Sequence, residues 1–597
     1  MKGATMIAAP VAVRCEERED GTIILENELQ LPMIEGTIPG RLKKWAVEKP
    51  DALYLSQGNQ LLTYGEAERR RRHLAARLLA FDRVDAQPLM IVADNGIHHA
   101  LLMLAATSVG IPAAIVSPSY IATGAHPWTK FQRVVDQIDP CLIVADNPDA
   151  VQTALGQMAT TVSVKSLQDL SWLENAPAAA NGTVDLAEKS VTLDSVAKLL
   201  FTSGSTGTPK AVPSTQRMMV SNMLGLSTVW PFLNHRSPVS VDWLPWNHTF
   251  GGNCCFNITL WFGGHSHIDS GRPTASGTAR SVEALKKWRP NLYYNVPVGF
   301  EMLLPELEGD PAFAKCFFEG LDFVFNAGAP LPSVLRQRLE IAARAAIGRV
   351  PPVVAGWGST ETAPFSTVLY FDQPHANNLG VPMPGTKIKM VPSEGRYELR
   401  VQGPNVMPAY WRDTEATAAA FDAEGFYKIG DAAKFAEPGN PAAGLLFDGR
   451  VAENFKLVSG TWVNVGALRL AVISAAEKLI SDVVVAGEGK HEIGLLIFPN
   501  EDACRQLIEA EPAGRTEQDL PSAHPEVQKR IADLLDAYNA RQIGSSTRIG
   551  RFVIADEPPS ANHDEITDKG YINQRRVLSR RALIVERLFA QDTVRTK

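Results

Sequence analysis

Cysteine is scarce in this chain: six residues in 597, Cys15, Cys141, Cys254, Cys255, Cys316 and Cys504, with no C-x-x-C pair. That excludes a disulfide framework and leaves the reduced, mostly buried thiols of a cytoplasmic enzyme. Basic charge is not in excess. A net charge of −7 lacks the cationic face that nucleic-acid binding requires. Long apolar runs are missing too. The longest, Ala100 to Val116, is interrupted by Gly110 and Pro112, so it is expected to form a buried helix, turn and strand and not a membrane span. The short apolar run near the N-terminus meets Arg14, Glu16 and Glu17 at once, which argues against a signal peptide. No internal repeat or low-complexity segment stands out.

What is present is a hydrophobic fraction of 45% and a charged fraction of 21%, ordinary for a globular protein, in a chain too long for one core. From about residue 40, apolar runs of strand length alternate with helical patterns. LMIVAD (89–94), CLIVAD (141–146), DFVFNAG (322–328) and PVVAGWG (352–358) are the runs; EAERRRRHLAARLLAF and LPSVLRQRLEIAARAAI are two of the helices. The alternation predicts an α/β fold, with sheets covered by helices. The arginines at 69–72 read as the solvated face of an amphipathic helix. Near residue 380 the pattern changes to strands and turns, and residues 447–466 read as a hairpin after a connection. A boundary at Arg450 separates a large N-terminal domain (1–449) from a smaller C-terminal α+β domain (450–597).

The stretch LLFTSGSTGTPKAV (199–212) runs an apolar strand into a bend crowded with Thr202, Ser203, Ser205, Thr206 and Thr208. Gly204 and Gly207 free the backbone, and Lys210 follows a proline. Hydroxyls, open N–H groups and one ammonium make a pocket for a polyanion, phosphate first. A P-loop needs lysine directly after glycine, and here Thr208 and Pro209 intervene. A flexible linker would not be fed by an apolar strand.

TSGSTGTPKAV closely resembles the phosphate-binding signature of the adenylate-forming enzymes, the acyl-CoA synthetase and luciferase superfamily. Other signatures of that superfamily follow in order. GWGSTET (356–362) is similar to its aromatic-Gly-x-Thr-Glu motif, YKIGD (427–431) to its Tyr-x-x-Gly-Asp motif, and GRVAENFKLVSG (449–460) to its Gly-Arg hinge motif. The resemblance runs from about residue 35 to 585. It implies ATP, Mg²⁺ and CoA as reactants and a mobile C-terminal domain. Thr202, Ser203, Gly204, Thr206 and Lys210 would hold the β- and γ-phosphates, and Glu361 with Thr206 the Mg²⁺. Gly358, Ser359 and Thr360 would face the α-phosphate. Gly328 and Ala329 leave room for adenine, Asp431 would bind the ribose, and Arg450 adds a cation beside it. The rotated state would bring Gly460 to the pantetheine of CoA.

The superfamily's late catalytic lysine is usually written Gly-Lys, whereas this chain has Lys569 before Gly570. As the sole lysine between 530 and 596, it is the candidate. At the hinge, Ala452 stands where Asp or Lys is common. His248 begins an His-x-x-Gly pattern similar to the acyl-pocket motif, so His248, Phe250, Gly251, Asn326 and Trp357 are expected to line the acid site, with Trp246 as a further wall. DWLPWNHTFGGN, YYNVPVGFEMLLPEL, SGTWVNVGALR and ITDKGYINQRRVL resemble the bacterial feruloyl-CoA synthetases, a group that shares the alanine and the Lys-Gly order. That resemblance implies ferulate, coumarate or caffeate as the aromatic carboxylic acid, with no nucleic-acid or membrane partner and a homodimer as the candidate assembly. Another aryl or fatty acid, or a non-catalytic nucleotide-binding homologue, stays open.

Overall fold

The computed structural model describes the chain apart from residues 1–7, 82–86, 123–127, 157, 159, 161, 204–208, 394–395, 452, 477–478, 510–523, 543, 561–562, 564, 567–571 and 591–597. It divides into two compact units. The larger holds Met1–Pro392, Leu399–Ile429 and Phe435–Leu446; the smaller holds Ser393–Glu398, Gly430–Lys434 and Phe447–Lys597. Both mix helices with strands, as the α/β expectation requires, and the smaller one is C-terminal.

The sheet that carries the 199–212 stretch has six strands, in the order Pro209–Thr215, Val196–Ser203, Ala113–Val116, Leu89–Val92, Leu142–Ala145 and Ser163–Ser166. Neighbours are parallel except the first pair. Strands covered on both faces need apolar residues at every position. Leu89–Val92 and Leu142–Ala145 are accordingly buried throughout. The Ala100–Val116 run resolves as expected. Helix Ile97–Ser108 buries every residue but His98, Gly110 turns the chain at φ +79°, and strand Ala113–Val116 follows. A helix with no polar face has to lie inside.

Val196–Ser203 returns as the antiparallel strand Pro209–Thr215, which sets Lys210 opposite Thr202 and Ser214 opposite Lys198. This return strand is the edge of the sheet, and the Trp411 N–H donates to its Ala211 carbonyl at 3.0 Å. A second sheet runs Leu292–Asn295, Phe323–Asn326, Val353–Gly358, Phe365–Leu369 and Val381–Pro382. Its first three strands are parallel and align Asn295, Asn326 and Ala355 near their carboxyl ends. Open α/β sheets place ligands beyond those ends.

The arginine run differs from its solvated reading. Arg69 is exposed, but Arg71 is 1% exposed, held by Glu68 and by Glu188 from a distant segment. Helical periodicity cannot foresee a partner 117 residues away.

In the smaller unit the strands Ile480–Ala486, Ile493–Pro499 and Ile549–Ile554 form one sheet. Val483, Val485, Leu495 and Ile497 share a core with residues of helices Val465–Ala475 and Pro525–Asn539, whereas Val484, Leu496 and Phe498 share another with Val577. The expected hairpin is Phe455–Lys456 against Trp462–Val463.

Candidate active site

In the larger unit, strand Val353–Gly358 ends where a steric limit operates. A Cβ at Gly358 would come within 1.9 Å of the Pro364 carbonyl, so only glycine lets the chain fold back there. The next turn, Thr360–Thr362, is fastened by Ser359 N–H donating to Thr362 Oγ1 at 2.9 Å and buries Thr360 and Glu361. Glu361 Oε1 accepts from the phenol of Tyr410 at 3.0 Å. Lys210 Nζ lies 4.8 Å from the centroid of that same ring. One buried tyrosine thus adjoins both the cation of the phosphate stretch and the carboxylate of the second motif. Burial pushes the Tyr410 phenol well above its ordinary range and the Glu361 charge adds to it; Tyr427 is raised in the same way. Both remain neutral donors at any working pH. Thr202 is half-buried beside this site, and only the backbone of Ser203 is described. Gly204, Ser205, Thr206, Gly207 and Thr208 lie outside the described residues.

Residues 250–255 form a π-helical turn. Gly251 and Gly252 are required by contact: a Cβ would meet the Pro245 carbonyl at 2.5 Å and the Trp246 carbonyl at 2.2 Å. Gly252 N–H donates to the His248 carbonyl at 2.7 Å, which folds the His248 backbone against the turn. The Phe250 ring stands 5.6 Å from Phe325 and 6.2 Å from Phe365, at the margin of the main core that holds all three. Asn326 gives its Nδ2 to the Ala329 carbonyl at 2.8 Å, and its buried Oδ1 has no partner among the described residues. Gly328 between them takes φ +86°. Trp357 is buried in its strand, opposite Thr367. Trp246 belongs to the core instead, edge-on to His99 at 5.1 Å and to Phe256 at 4.9 Å. Composition could not separate that wall from packing.

In the smaller unit Arg450 Nε lies 3.6 Å from Asp431 Oδ1, with Arg450 largely exposed. Gly460 sits at φ +81° in the hairpin turn, where a Cβ would touch nothing within 4 Å, so the backbone angle alone calls for glycine. Ala452 and Lys569 lie outside the described residues. The segment around Lys569 is bracketed by an Ile566–Ile572 bridge, and beside it Glu565 is fully buried. Glu565 is paired with Arg581 at 2.8 Å and Arg580 at 3.1 Å, and accepts from Ser560 N–H at 2.8 Å. Although burial alone would raise its carboxyl, these partners hold it down to about 2. Glu565→Ala would leave Arg581 buried without its partner and should cost about 3–5 kcal/mol. Because the folded value lies below the ordinary 4.5, the carboxylate's contribution is present above that pH and is lost as pH falls towards 2. Amide exchange of strand Ile480–Ala486, followed against pH in both proteins, measures this.

Residues 42–411 match the family pattern described as AMP-binding enzyme, and 454–593 that of the AMP-binding enzyme C-terminal domain. The chain belongs to the AMP-binding enzymes. Among curated members of this family, a feruloyl-CoA synthase of Amycolatopsis sp is 28% identical over 416 residues, 66% of this chain and 76% of its own length. A long-chain-fatty-acid–CoA ligase of Mycobacterium bovis is 25% identical over 492 residues, 74% of this chain and 78% of its own. The solved o-succinylbenzoate CoA synthetase of Bacillus subtilis, in complex with its acyl-adenylate intermediate, superposes with a TM-score of 0.68 at 16% identity, covering 93% of this AMP-binding enzyme and 99% of that chain. That likeness establishes the fold.

Tyr410 is the residue that sequence reasoning missed. It stands 49 positions after Glu361, a separation with no periodic signature. Among the described residues no helix is long and apolar enough to cross a membrane.

Proposed function

We propose that this AMP-binding enzyme is an ATP-dependent acid–CoA ligase acting on hydroxycinnamic acids such as ferulate, coumarate and caffeate. The observation that carries the ligase reading is the single tyrosine joining Lys210 to Glu361, because it gathers a phosphate cation and a metal-type carboxylate from separate motifs. In the first step an oxygen of the acid's carboxylate attacks the α-phosphorus of ATP and the bond to pyrophosphate breaks. In the second, the thiol sulfur of CoA attacks the acyl carbon, its proton passes to solvent, and AMP leaves.

Thr202, Ser203, Gly204, Thr206 and Lys210 grip the departing pyrophosphate, while Gly358, Ser359 and Thr360 face the α-phosphate. Glu361, with Thr206, is the oxygen donor for Mg²⁺, which when bound offsets the phosphate charge. Adenine lies by Gly328 and Ala329, the ribose hydroxyls donate to Asp431, and Arg450 adds a cation. His248, Phe250, Gly251, Asn326 and Trp357 take the acid, and Gly460 faces CoA. Two observations favour an aromatic hydroxy acid over an alkyl one. The Phe250 ring, packed against tilted Phe325 and edge-on Phe365, offers an aromatic contact, and the unpaired Asn326 Oδ1 can accept from a phenol but gains nothing from a methylene chain.

The test is AMP release by the purified chain with Mg²⁺, ATP and CoA across ferulate, coumarate, benzoate and a long-chain fatty acid. AMP with matching thioester from the hydroxycinnamates alone is the expected outcome. Turnover of the fatty acid alone would refute the substrate reading and leave the ligase reading standing. No AMP from any acid would refute both.

A further inference from the structure

Lys198 is 3% exposed and lies in the strand Val196–Ser203, four residues before Thr202. Strand alternation puts 198, 200 and 202 on one face, the face on which Leu200 joins the main core. Among the described residues no carboxylate pairs with its ammonium. Nζ donates to the Gly252 carbonyl at 2.6 Å and lies 5.3 Å from the centre of the Phe256 ring. Burial brings its pKa down to about 7. A position that served packing alone would be filled at less cost by an apolar residue.

The group it holds is informative. Gly252 belongs to the π-helical turn, and such turns recur at functional sites. Ser214, the residue opposite Lys198 in the hairpin, receives a hydrogen bond from Asn253 Nδ2 at 3.0 Å. Two facing residues of the phosphate hairpin therefore hold two successive residues of the turn that begins with Phe250 and packs on the His248 backbone. Attack on phosphorus requires carboxylate and phosphate at one fixed separation. The two are bound by different segments, and these two hydrogen bonds tie the segments together.

We propose that Lys198 and Ser214 are positioning residues that register the acid pocket, His248 to Gly251, against the phosphate hairpin. The inference rests on the ligase reading above. KM for the acid, KM for ATP and kcat are measured by AMP release for the full chain, Lys198→Met and Ser214→Ala, together with Tm. Methionine keeps the length of the stem and removes the charge. Lys198→Met should raise KM for the acid about tenfold, and Ser214→Ala a few-fold, with KM for ATP within about twofold. Tm of Lys198→Met should hold or rise, since an unpaired buried charge is gone.

A purely structural lysine would lower the active fraction and hence kcat, without moving either KM. Unchanged acid KM in both variants, or equal rises for acid and ATP, overturns the proposal. If Lys198→Met does not fold, Ser214→Ala decides: wild-type kinetics there also overturn it. A wild-type chain that releases no AMP with any acid marks failure of the ligase reading, and this inference falls with it.

Discussion

Lys569→Ala should lower acyl-adenylate formation about 10²–10³-fold, while conversion of supplied feruloyl-adenylate to the thioester changes less than about threefold. The first half-reaction brings a carboxylate onto a phosphate, and the charge that builds between them needs a cation that is not already engaged with the leaving pyrophosphate. In the proposed assignment Lys210 serves that end. In the second half-reaction a neutral thioester replaces a mixed anhydride and no pentacoordinate phosphorus forms, so the same cation has little to stabilise. Glu565, with its two arginines, and the Ile566–Ile572 bridge fasten the chain on either side of the lysine. Pyrophosphate exchange and thioester formation from supplied adenylate measure the halves separately. Equal losses in both would remove Lys569 from the first step.

Glu361→Gln should reduce acid-dependent AMP release about 10²–10³-fold, with the Mg²⁺ requirement moved to higher concentration. The side chain is 6% exposed and anchored by Tyr410, so glutamine fits the same space. What is lost is charge, together with one hard oxygen donor. Tyr410→Phe should be milder, because the carboxylate stays and only its orientation loosens. A Mg²⁺ titration of AMP release distinguishes the two variants. Wild-type Mg²⁺ dependence in Glu361→Gln would exclude it as the metal donor.

Much of the fold was legible because strands buried on both faces must be apolar at every position, as in LMIVAD and CLIVAD. The 199–212 stretch stood out because hydroxyls, glycines and a single charge in short order are poor core material, whereas GWGSTET, YKIGD and GRVAENFKLVSG stood out only by resemblance to a known family. What stayed hidden depends on distance along the chain. Arg71 read as solvated because Glu188 arrives from another segment, and Trp246 read as pocket because aromaticity does not report direction. Lys198 carries no sequence signal of its own. Its meaning lies in Gly252, 54 residues on.

The strand Pro209–Thr215 is the last of its sheet, and an uncovered strand edge would invite another chain to add on. Here that edge is closed to such growth. Because the Ala211 carbonyl points outward to Trp411, the backbone groups of 209 and 213 point outward too, and both residues are prolines with no N–H to offer. The strand thus ends its sheet without offering a second polypeptide a row of donors.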